Sequence, residues 1–130
     1  MVGGNDELVF DGGSLVVGAD GDVKLEGKWF QSRNLIVNPT VFTLEAKKNH
    51  ALIDEEKIFK ALSLGVKDYV EKCGFKSVLL GLSGGIDSAL TAVVAVDALG
   101  ASNVRGVAMP SEFSSQGSKD DARELADHLG

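Results

Sequence analysis

The fold that this sequence predicts is decided by residues Ser77–Ser88, which read SVLLGLSGGIDS. The first half of the stretch is apolar at successive positions, as expected of a parallel strand that helices cover on both faces. After a pair of glycines, an apolar segment predicts a helix from about Asp87 to Leu99, which Gly100 ends. The next apolar run, Val104–Met109, predicts a second strand. Together these segments form a βαβ unit, whose crossover is expected to be right-handed.

A further helix is predicted on each side of this unit. The first can be capped by Asp54 and is ended by Gly74. The second follows the loop Pro110–Gly117 and can be capped by Ser118, with Asp121 three positions on. Each helix has one apolar face, so each is expected to cover another element. The apolar faces consist of Ile58, Leu62, Val66, Tyr69, Val70 and Cys73 in the first helix and of Ala122, Leu125, Ala126 and Leu129 in the second.

The first part of the chain has a different composition. Seven of the 16 glycines fall within the first 27 residues, where they separate short apolar runs. We predict short antiparallel strands at Leu8–Phe10, Ser14–Val17 and Asp22–Leu25, joined by turns that contain glycine. Asn34–Val37 is a possible further strand. The predicted organisation is therefore strands at 1–26, a linker at 27–53 and an α/β domain at 54–130.

Composition and charge exclude several classes of protein. The chain has 130 residues, a net charge of -6 and no cluster of basic residues beside an aromatic one, which argues against nucleic-acid binding. Its longest apolar stretch, Ala89–Val96, is far shorter than the roughly 20 residues that a membrane span needs. The first residues indicate neither a signal peptide nor myristoylation. The single cysteine, Cys73, fits a reducing cytoplasm, and its place on an apolar helix face predicts a buried structural thiol.

The segment Gly81–Ser88 carries the chemistry that the sequence indicates. It joins the carboxyl end of a buried strand to the amino end of a helix, which is where open α/β sheets bind ligands. Ser83 and Ser88 supply hydroxyl groups, the glycines let a ligand approach the backbone, and the first helix amides carry partial positive charge. These features suit a chain of phosphates. Asp87 would repel the phosphates unless a cation such as Mg²⁺ lay between them.

Three known kinds of loop compete for this segment, and a plain strand-to-helix turn is a fourth alternative. A Walker A loop is disfavoured because the segment contains no lysine. The G-x-S-x-G nucleophile elbow of a serine hydrolase is matched at Gly81–Gly85, but His128, the one histidine that follows, lies on the polar side of a helix. The third kind, a pyrophosphate-binding loop of the form S-G-G-x-D-S, is matched in full by Ser83–Ser88.

With this loop the sequence resembles the N-type ATP pyrophosphatases, a family that includes NAD⁺, GMP and asparagine synthetases. The flanking residues are similar to the start of an NAD⁺ synthetase domain, and Leu8–Ser14 is similar to the end of a nitrilase-like glutaminase domain. In this order the two parts resemble the glutamine-dependent NAD⁺ synthetases. The flanking stretches are Ala61–Tyr69, Lys72–Phe75, Gly81–Leu90, Ala98–Gly100, Val104–Val107 and Met109–Ser111.

This resemblance implies a fold and a two-step ligation. The fold would be the start of a parallel-sheet, Rossmann-like synthetase domain of the adenine nucleotide alpha hydrolase type, preceded by strands from the end of a nitrilase-like domain. ATP would adenylate the nicotinate carboxylate of deamido-NAD⁺, and ammonia would then displace AMP. Asp87 would bind Mg²⁺, and the adenine would lie near Ala108 and Pro110, with Ser114 and Ser115 above it. The residues implied in ATP binding are Gly81, Leu82, Ser83, Gly84, Gly85, Ile86, Asp87, Ser88 and Met109.

The resemblance also implies that the chain is a fragment of a longer enzyme. The catalytic residues of the glutaminase would lie before Met1, and further contacts to the metal and to deamido-NAD⁺ would lie after Gly130, so we expect no activity from this chain alone. Glu112 stands where relatives commonly have a basic residue. The full enzyme is expected to be a cytoplasmic homo-oligomer that takes its ammonia from glutamine or from solution. The alternative function is a small non-catalytic α/β module for nucleotide binding or assembly.

Overall fold

The computed structural model of the chain describes residues 1–34, 36–38, 52–110 and 115–130. The chain consists of two compact units, Met1–Ala61 and Leu62–Gly130, and the boundary between them falls inside the first helix. The first unit contains antiparallel hairpins, and the second contains the parallel strands and their helices. Within the described ranges, no helix combines the length and the apolar character that crossing a membrane requires.

The first unit is built from two β-hairpins. Strand β1 (Val2–Asn5) pairs antiparallel with β2 (Leu8–Asp11), and β3 (Leu15–Val17) pairs antiparallel with β4 (Val23–Glu26). The last three strands confirm the sequence prediction to within one residue at each end. Strand β1 is not predicted from the sequence, because two of its four residues are glycines and give no apolar pattern.

The turn between β3 and β4 is held by a short polar network. Gly21 has a left-handed φ of +84°, and its amide donates to the Gly18 carbonyl at 3.0 Å. The Asp20 carboxylate accepts from the Asp22 amide at 3.1 Å and lies 2.5 Å from Lys24 Nζ. The hydrogen bond from Lys24, followed by that from the Asp22 amide, holds the pKa of the Asp20 carboxyl below its usual value. The same pairing raises the pKa of the Lys24 ammonium.

The residues after β4 pack on the first hairpin and do not start another strand. Trp29 forms an isolated antiparallel bridge with Gly12, and a Cβ at Gly13 would lie 3.1 Å from the Trp29 ring. Lys57 Nζ lies 5.8 Å from the centroid of the same ring, at cation–π distance. The predicted strand at Asn34–Val37 is wrong for its described residues, which have no strand conformation and pair with none of the described strands.

Helix α1 (Asp54–Lys72) begins one residue earlier than the sequence predicts. The Lys57 amide donates to the Ile53 carbonyl at 3.1 Å, so Ile53 occupies the cap position and Asp54 is the first helical residue. The Asp54 carboxylate instead lies 3.3 Å from Lys57 Nζ, in an exposed ion pair one turn along the helix. The acidic side chain therefore supports the helix start through charge rather than through capping.

The apolar face predicted for α1 is only partly buried. Val70 is 5% exposed, whereas Leu62 is 48% and Tyr69 is 68% exposed. The prediction of a buried thiol is wrong, because Cys73 is exposed. This residue lies just beyond the last helical position, in a turn with Gly74, but its amide still donates to the Tyr69 carbonyl at 3.0 Å. Tyr69, one turn earlier on the same face, is exposed as well, so this end of the face is not covered by a described residue.

The second unit confirms the predicted βαβ arrangement. Strand β5 (Val78–Leu82) pairs in parallel with β6 (Val104–Ala108) in continuous register. Helix α2 (Ile86–Leu99) and one 3-10 turn (Ala101–Asn103) connect the strands, and Gly100 between them has a φ of +81°. Small side chains let α2 pack closely in this unit. In the described part of the chain, the buried apolar residues are Val70, Ala92, Val94, Ala95 and Ala122.

Helix α3 (Gln116–Leu129) begins before the residue that the sequence predicts as its cap. The cap is Ser115, whose Oγ accepts from the Ser118 amide at 3.1 Å, so the prediction of Ser118 as the cap is wrong. The sequence predicts the later serine as the cap because Gly117 is a poor helix former, so that the first turn of α3 does not look helical. On the predicted inner stripe, Ala122 is 5% exposed, whereas Ala126 is exposed.

Candidate functional site

The loop Ser83–Ser88 leads from the carboxyl end of β5 into α2, where the sequence predicts it. Gly84 has a left-handed φ of +79°, which a residue with a side chain adopts only at a cost. A Cβ atom at Gly84 would also collide with the backbone of Ser118 in α3. Two independent constraints therefore require glycine here, and the close approach ties the loop to α3.

Two serine hydroxyls hold the loop in shape. Ser88 Oγ donates to the Gly85 carbonyl at 2.9 Å and accepts from the Ser83 amide at 3.2 Å. Ser83 Oγ lies 3.1 Å from Ser88 Oγ and accepts from the Gly85 amide at 3.2 Å. Because the single proton of Ser88 Oγ goes to Gly85, the Ser83 hydroxyl donates to Ser88. Because Ser83 is exposed, its hydroxyl can donate a hydrogen bond to a ligand oxygen instead of to Ser88.

The amino end of α2 faces this loop without a side-chain cap. The cap residue, Gly85, is extended and has no side chain to accept a hydrogen bond. The first amides of a helix lack intrahelical partners and carry partial positive charge, so they favour an anion. Asp87 lies exposed in this first turn, and its carboxylate makes no hydrogen bond or ion pair with a described residue. The loop thus offers neutral donors beside one unpaired carboxylate.

A cavity of about 400 Å³ opens beside the loop. One side is formed by Leu82 and Ser83, and another by the end of β6 together with Met109 and Pro110, which follow that strand. Met109 is 75% exposed, and its Cε lies 3.0 Å from where a Cβ at Gly81 would stand. The absence of a side chain at Gly81 therefore leaves room for Met109 across the ends of the two parallel strands.

The structure brings most of the predicted ATP-binding residues to one end of the parallel sheet. Gly81 and Leu82 are the last residues of β5, and Ile86 is the first residue of α2, with 79% of its surface exposed. Ser115 lies at the start of α3, as its cap, and not in the loop that was expected above the adenine. The other loop predictions concern Ser111–Ser114, including Glu112, which lie outside the described residues.

The geometry does not support a nucleophile elbow. An elbow strains the backbone of the nucleophilic serine, whereas here Gly84 and not Ser83 has a left-handed φ. The described partners of Ser83 Oγ are Ser88 Oγ and the Gly85 amide, and neither can act as a base. His128 is exposed on α3, beside a shallow depression lined by other charged residues of that helix. Within the described residues, no serine–histidine pair forms.

Comparison with known proteins identifies the family to which these features belong. The family model for NAD synthase matches residues 58–130, which include the loop, both parallel strands, α2 and α3. This match covers more than half of the chain. The chain belongs to the NAD synthase family. The finding confirms the resemblance drawn from the loop and its flanks, together with the predicted α/β fold class.

Relatives of the NAD synthase family match the whole chain. It is 43% identical to the glutamine-dependent NAD(+) synthetase of Thermotoga maritima and 47% identical to that of Rhodobacter capsulatus, with 100% of this chain aligned in both cases. The aligned part is 29% of the first relative and 24% of the second. The chain therefore spans less than a third of the length of these curated relatives.

Solved structures of NAD synthetases also resemble the chain. The glutamine-dependent NAD+ synthetase from Acinetobacter baumannii, solved in complex with adenosine diphosphate, has a TM-score of 0.92 and 41% identity over 99% of this chain and 25% of its own. The NH3-dependent NAD synthetase from Campylobacter jejuni, in complex with the nitrate ion, has a TM-score of 0.55 and 36% identity over 59% of this chain and 33% of its own. The likeness thus extends to both kinds of synthetase.

The contribution of α3 to this candidate site is not predicted from the sequence. The Ser118 backbone packs against Gly84, and Lys119 and Arg123 line the cavity beside the loop. The sequence treats Ser118 as a helix cap and gives the two cations no role. Their spacing of four residues does place them on one helix face, but no local pattern indicates that this face meets the end of β6.

Proposed function

We propose that this chain binds the pyrophosphate end of ATP in an enzyme that amidates deamido-NAD⁺ to NAD⁺. The proposal is carried by the loop after β5, where two hydroxyls, a glycine backbone and the uncapped amides of α2 converge. It is supported by membership of the NAD synthase family and by the similarity to a synthetase solved with ADP. Because the chain spans 29% of its Thermotoga relative, we assign it a binding role and not the whole reaction.

Within the loop, we assign the β- and γ-phosphates to Ser83, Gly84, Gly85 and Ser88. The Ser83 hydroxyl can exchange its 3.1 Å bond to Ser88 for a bond to a phosphate oxygen, while Ser88 continues to brace the Gly85 carbonyl. The amides at the start of α2 add partial positive charge, which favours phosphate at this position. The full set proposed for ATP is Gly81, Leu82, Ser83, Gly84, Gly85, Ile86, Asp87, Ser88 and Met109.

Asp87 is proposed to bind Mg²⁺ together with the phosphates. Its carboxylate is exposed in the first turn of α2 and pairs with no described residue, so it is available as an oxygen ligand. The described residues contain no cluster of three or more side chains that could hold a metal by themselves. A single carboxylate fits Mg²⁺, which commonly uses one or two carboxylates and completes its shell with phosphate oxygens and water. When bound, the ion would neutralise phosphate charge beside Asp87.

In the proposed reaction, the nicotinate carboxylate of deamido-NAD⁺ attacks the α-phosphorus of ATP and pyrophosphate leaves. Ammonia then attacks the acyl carbon of the adenylate, and AMP leaves as the amide forms. This chain acts in the first step, where negative charge develops on the departing pyrophosphate. The amides and hydroxyls of the loop stabilise that charge, and they are already oriented because Gly84 and the serine pair fix the loop. The loop forms no covalent bond with the substrate.

The wider organisation is also a proposal. Residues 1–26 would end a nitrilase-like glutaminase domain, 27–53 would form a linker, and 54–130 would begin the synthetase domain. In the full enzyme, glutamine or free ammonia would supply the nitrogen. The names of the Thermotoga and Rhodobacter relatives support glutamine. We further propose a homo-oligomer in the cytoplasm, without contact to nucleic acid or membrane.

The experiment that tests this function compares two aspartates of α2. Asp87 and Asp97 are both exposed, and neither pairs with a described residue, so Asp97→Asn is a control for the loss of one charge. Isothermal titration calorimetry of the 130-residue chain would measure ATP and pyrophosphate binding with and without Mg²⁺. We expect Asp87→Asn to weaken Mg²⁺-dependent ATP binding about tenfold and Asp97→Asn to change it by less than about twofold.

Two other results would contradict the proposal. If Asp87→Asn binds ATP and Mg²⁺ like the unmodified chain, Asp87 does not hold the metal. If the unmodified chain binds neither ATP nor pyrophosphate, the loop has no phosphate-binding function in this chain. Oligomers that form without nucleotide, together with that second result, would favour the assembly-module alternative.

A further inference from the structure

Two cations on α3 share a cavity with the phosphate-binding loop. Lys119 and Arg123 are exposed, lie one helical turn apart and line the cavity of about 400 Å³ that Ser83 also borders. Met109 and Pro110 line the same cavity at the end of β6. The loop, the strand end and the cationic face of α3 therefore surround one space.

The charge in this cavity is of one sign. Lys119 and Arg123 are the charged residues among its described lining, and no carboxylate lines it. Neither cation forms an ion pair with a described residue, although Arg123 also borders a shallow depression that carries acidic side chains of α3. In a chain with a net charge of -6, two unpaired cations beside one cavity form a local site for an anion.

We infer that Lys119 and Arg123 bind the α-phosphate of the nucleotide, the phosphate that remains with AMP. The inference rests on the proposed function, which assigns the β- and γ-phosphates to Ser83–Ser88 and the adenine to the end of β6. The α-phosphate joins these two parts of ATP, so it lies in the space between them, and that space is the cavity that the two cations line. Long lysine and arginine side chains reach and hydrogen-bond phosphate oxygens well.

This assignment separates two parts of the site. The loop would hold the part of ATP that leaves as pyrophosphate, and the face of α3 would hold the part that stays as adenylate and then as AMP. Loss of the two cations should therefore weaken every ligand that carries the α-phosphate of AMP. It should leave the binding of pyrophosphate, which needs only the loop, unchanged.

The test uses calorimetric titration of the 130-residue chain with ATP, AMP and inorganic pyrophosphate, all with Mg²⁺. The double variant Lys119→Gln/Arg123→Gln should bind ATP and AMP about tenfold more weakly and pyrophosphate with less than about a twofold change. The matched control is Lys67→Gln/Arg105→Gln, which removes the same charge from two exposed residues that line no part of the cavity. The charge-retaining variant Lys119→Arg/Arg123→Lys should keep AMP binding within about threefold.

The outcomes are distinguishable. Unchanged ATP and AMP affinity in the neutral variant, with pyrophosphate still bound, would overturn the inference and leave the proposed function standing. Equal weakening by the control variant would overturn it too, because bulk charge would then explain the effect. If the unmodified chain binds no pyrophosphate, the proposed function fails and this inference fails with it. Far-UV circular dichroism checks that the helix content of each variant is unchanged. The single variant Lys119→Gln should weaken ATP and AMP binding by a smaller factor than the double variant and should leave pyrophosphate binding unchanged.

Discussion

Two left-handed glycines show how differently the two units of this chain use one backbone conformation. Gly21 in the β3–β4 turn and Gly84 in the loop after β5 have φ values of +84° and +79°. A Cβ at Gly21 would meet no atom within 4 Å, whereas one at Gly84 would collide with the Ser118 backbone. The first glycine shapes a surface turn, and the second lets a loop pack against a helix. The surroundings, and not the dihedral angle, distinguish the functional position.

The polar groups of the two regions differ in the same way. In the β3–β4 turn, the charges of Asp20 and Lys24 satisfy each other. In the loop, neutral hydroxyls and amides brace the backbone, and the Asp87 carboxylate pairs with no described residue. The charged groups of the turn already bind each other and are not free to bind a ligand. In the loop, the Asp87 carboxylate and the first amides of α2 can bind one. Single substitutions at Gly84, Gly21, Ser88 and Asp20 test this contrast.

The largest effect is expected from placing alanine at the two glycines. Gly84→Ala should lower the free energy of unfolding by about 3 kcal/mol or more, because it adds a collision with α3 to an unfavourable φ. Gly21→Ala should cost about 1 kcal/mol, since only the left-handed φ opposes it. Urea unfolding measures both values, with far-UV circular dichroism reporting the helices and Trp29 fluorescence the hairpin unit.

An equal loss of unfolding free energy in Gly84→Ala and Gly21→Ala would contradict the proposed difference between the two glycines. It would mean that the packing of Gly84 on Ser118 contributes nothing beyond the backbone conformation that both glycines share.

A medium effect is expected from removing the hydroxyl at the centre of the loop. Ser88→Ala removes the acceptor of the Ser83 amide and of the Ser83 hydroxyl, together with one of the two donors to the Gly85 carbonyl, which should lower stability by about 1–2 kcal/mol. ATP binding should weaken about tenfold, since the loop is no longer held ready for phosphate. The control is Ser102→Ala, at an exposed serine of the 3-10 turn. Chemical denaturation and calorimetry would show the loop hydroxyl to be dispensable if both variants behaved alike.

The smallest effect is expected in the hairpin unit, from the ion pair of the β3–β4 turn. The folded pKa of Asp20 is lowered, so its contribution to stability is present above the unfolded value of about 4 and is lost as the pH falls through the folded value. The pKa of Lys24 is raised, so its contribution is present below about pH 10 and is lost as the pH rises through its folded value.

Asp20→Asn should therefore destabilise the hairpin unit slightly at neutral pH and not at all in acid, where the wild-type carboxyl is protonated. Trp29 fluorescence during urea unfolding at several pH values measures this difference. Glu7→Gln, at the exposed β1–β2 turn, is the control for the loss of one negative charge. A deficit that persists unchanged into acid would show that the ion pair is not its cause.

Local patterns predict the order of the elements in the α/β part of this fold, but the prediction that β5 is covered on both faces is wrong, because Leu79 is 69% exposed. The βαβ unit is predicted by three short signals, each of which involves only neighbouring residues: the apolar run of β5, the glycine pair and Gly100. The structure confirms this unit. The same local signals fail where a residue lies just past the end of an element. Cys73 fits the helical spacing of α1 but lies beyond its last residue, and Ser118 fits a cap but lies one turn inside α3.

The chemistry of the loop is predictable for the same reason, and its surroundings are not. Ser83 and Ser88 are five residues apart in the sequence, and their hydroxyls come within hydrogen-bond distance because the chain turns between them from β5 into α2. The packing of Gly84 on Ser118 joins residues far apart in the sequence, as does the cavity between Ser83 and Arg123. Such contacts depend on how α3 packs, which no short pattern encodes.

Amide hydrogen exchange tests whether the loop after β5 binds ATP and the β3–β4 turn does not, because it follows both regions in one experiment. Exchange of the 130-residue chain would be followed with and without ATP and Mg²⁺, with the turn Gly18–Asp22 as the internal reference. We expect the amides of residues 83–88 to exchange at least about tenfold more slowly with ligand, while those of the reference turn do not change. Unchanged exchange in residues 83–88 at saturating ATP, or equal slowing in both regions, would contradict it.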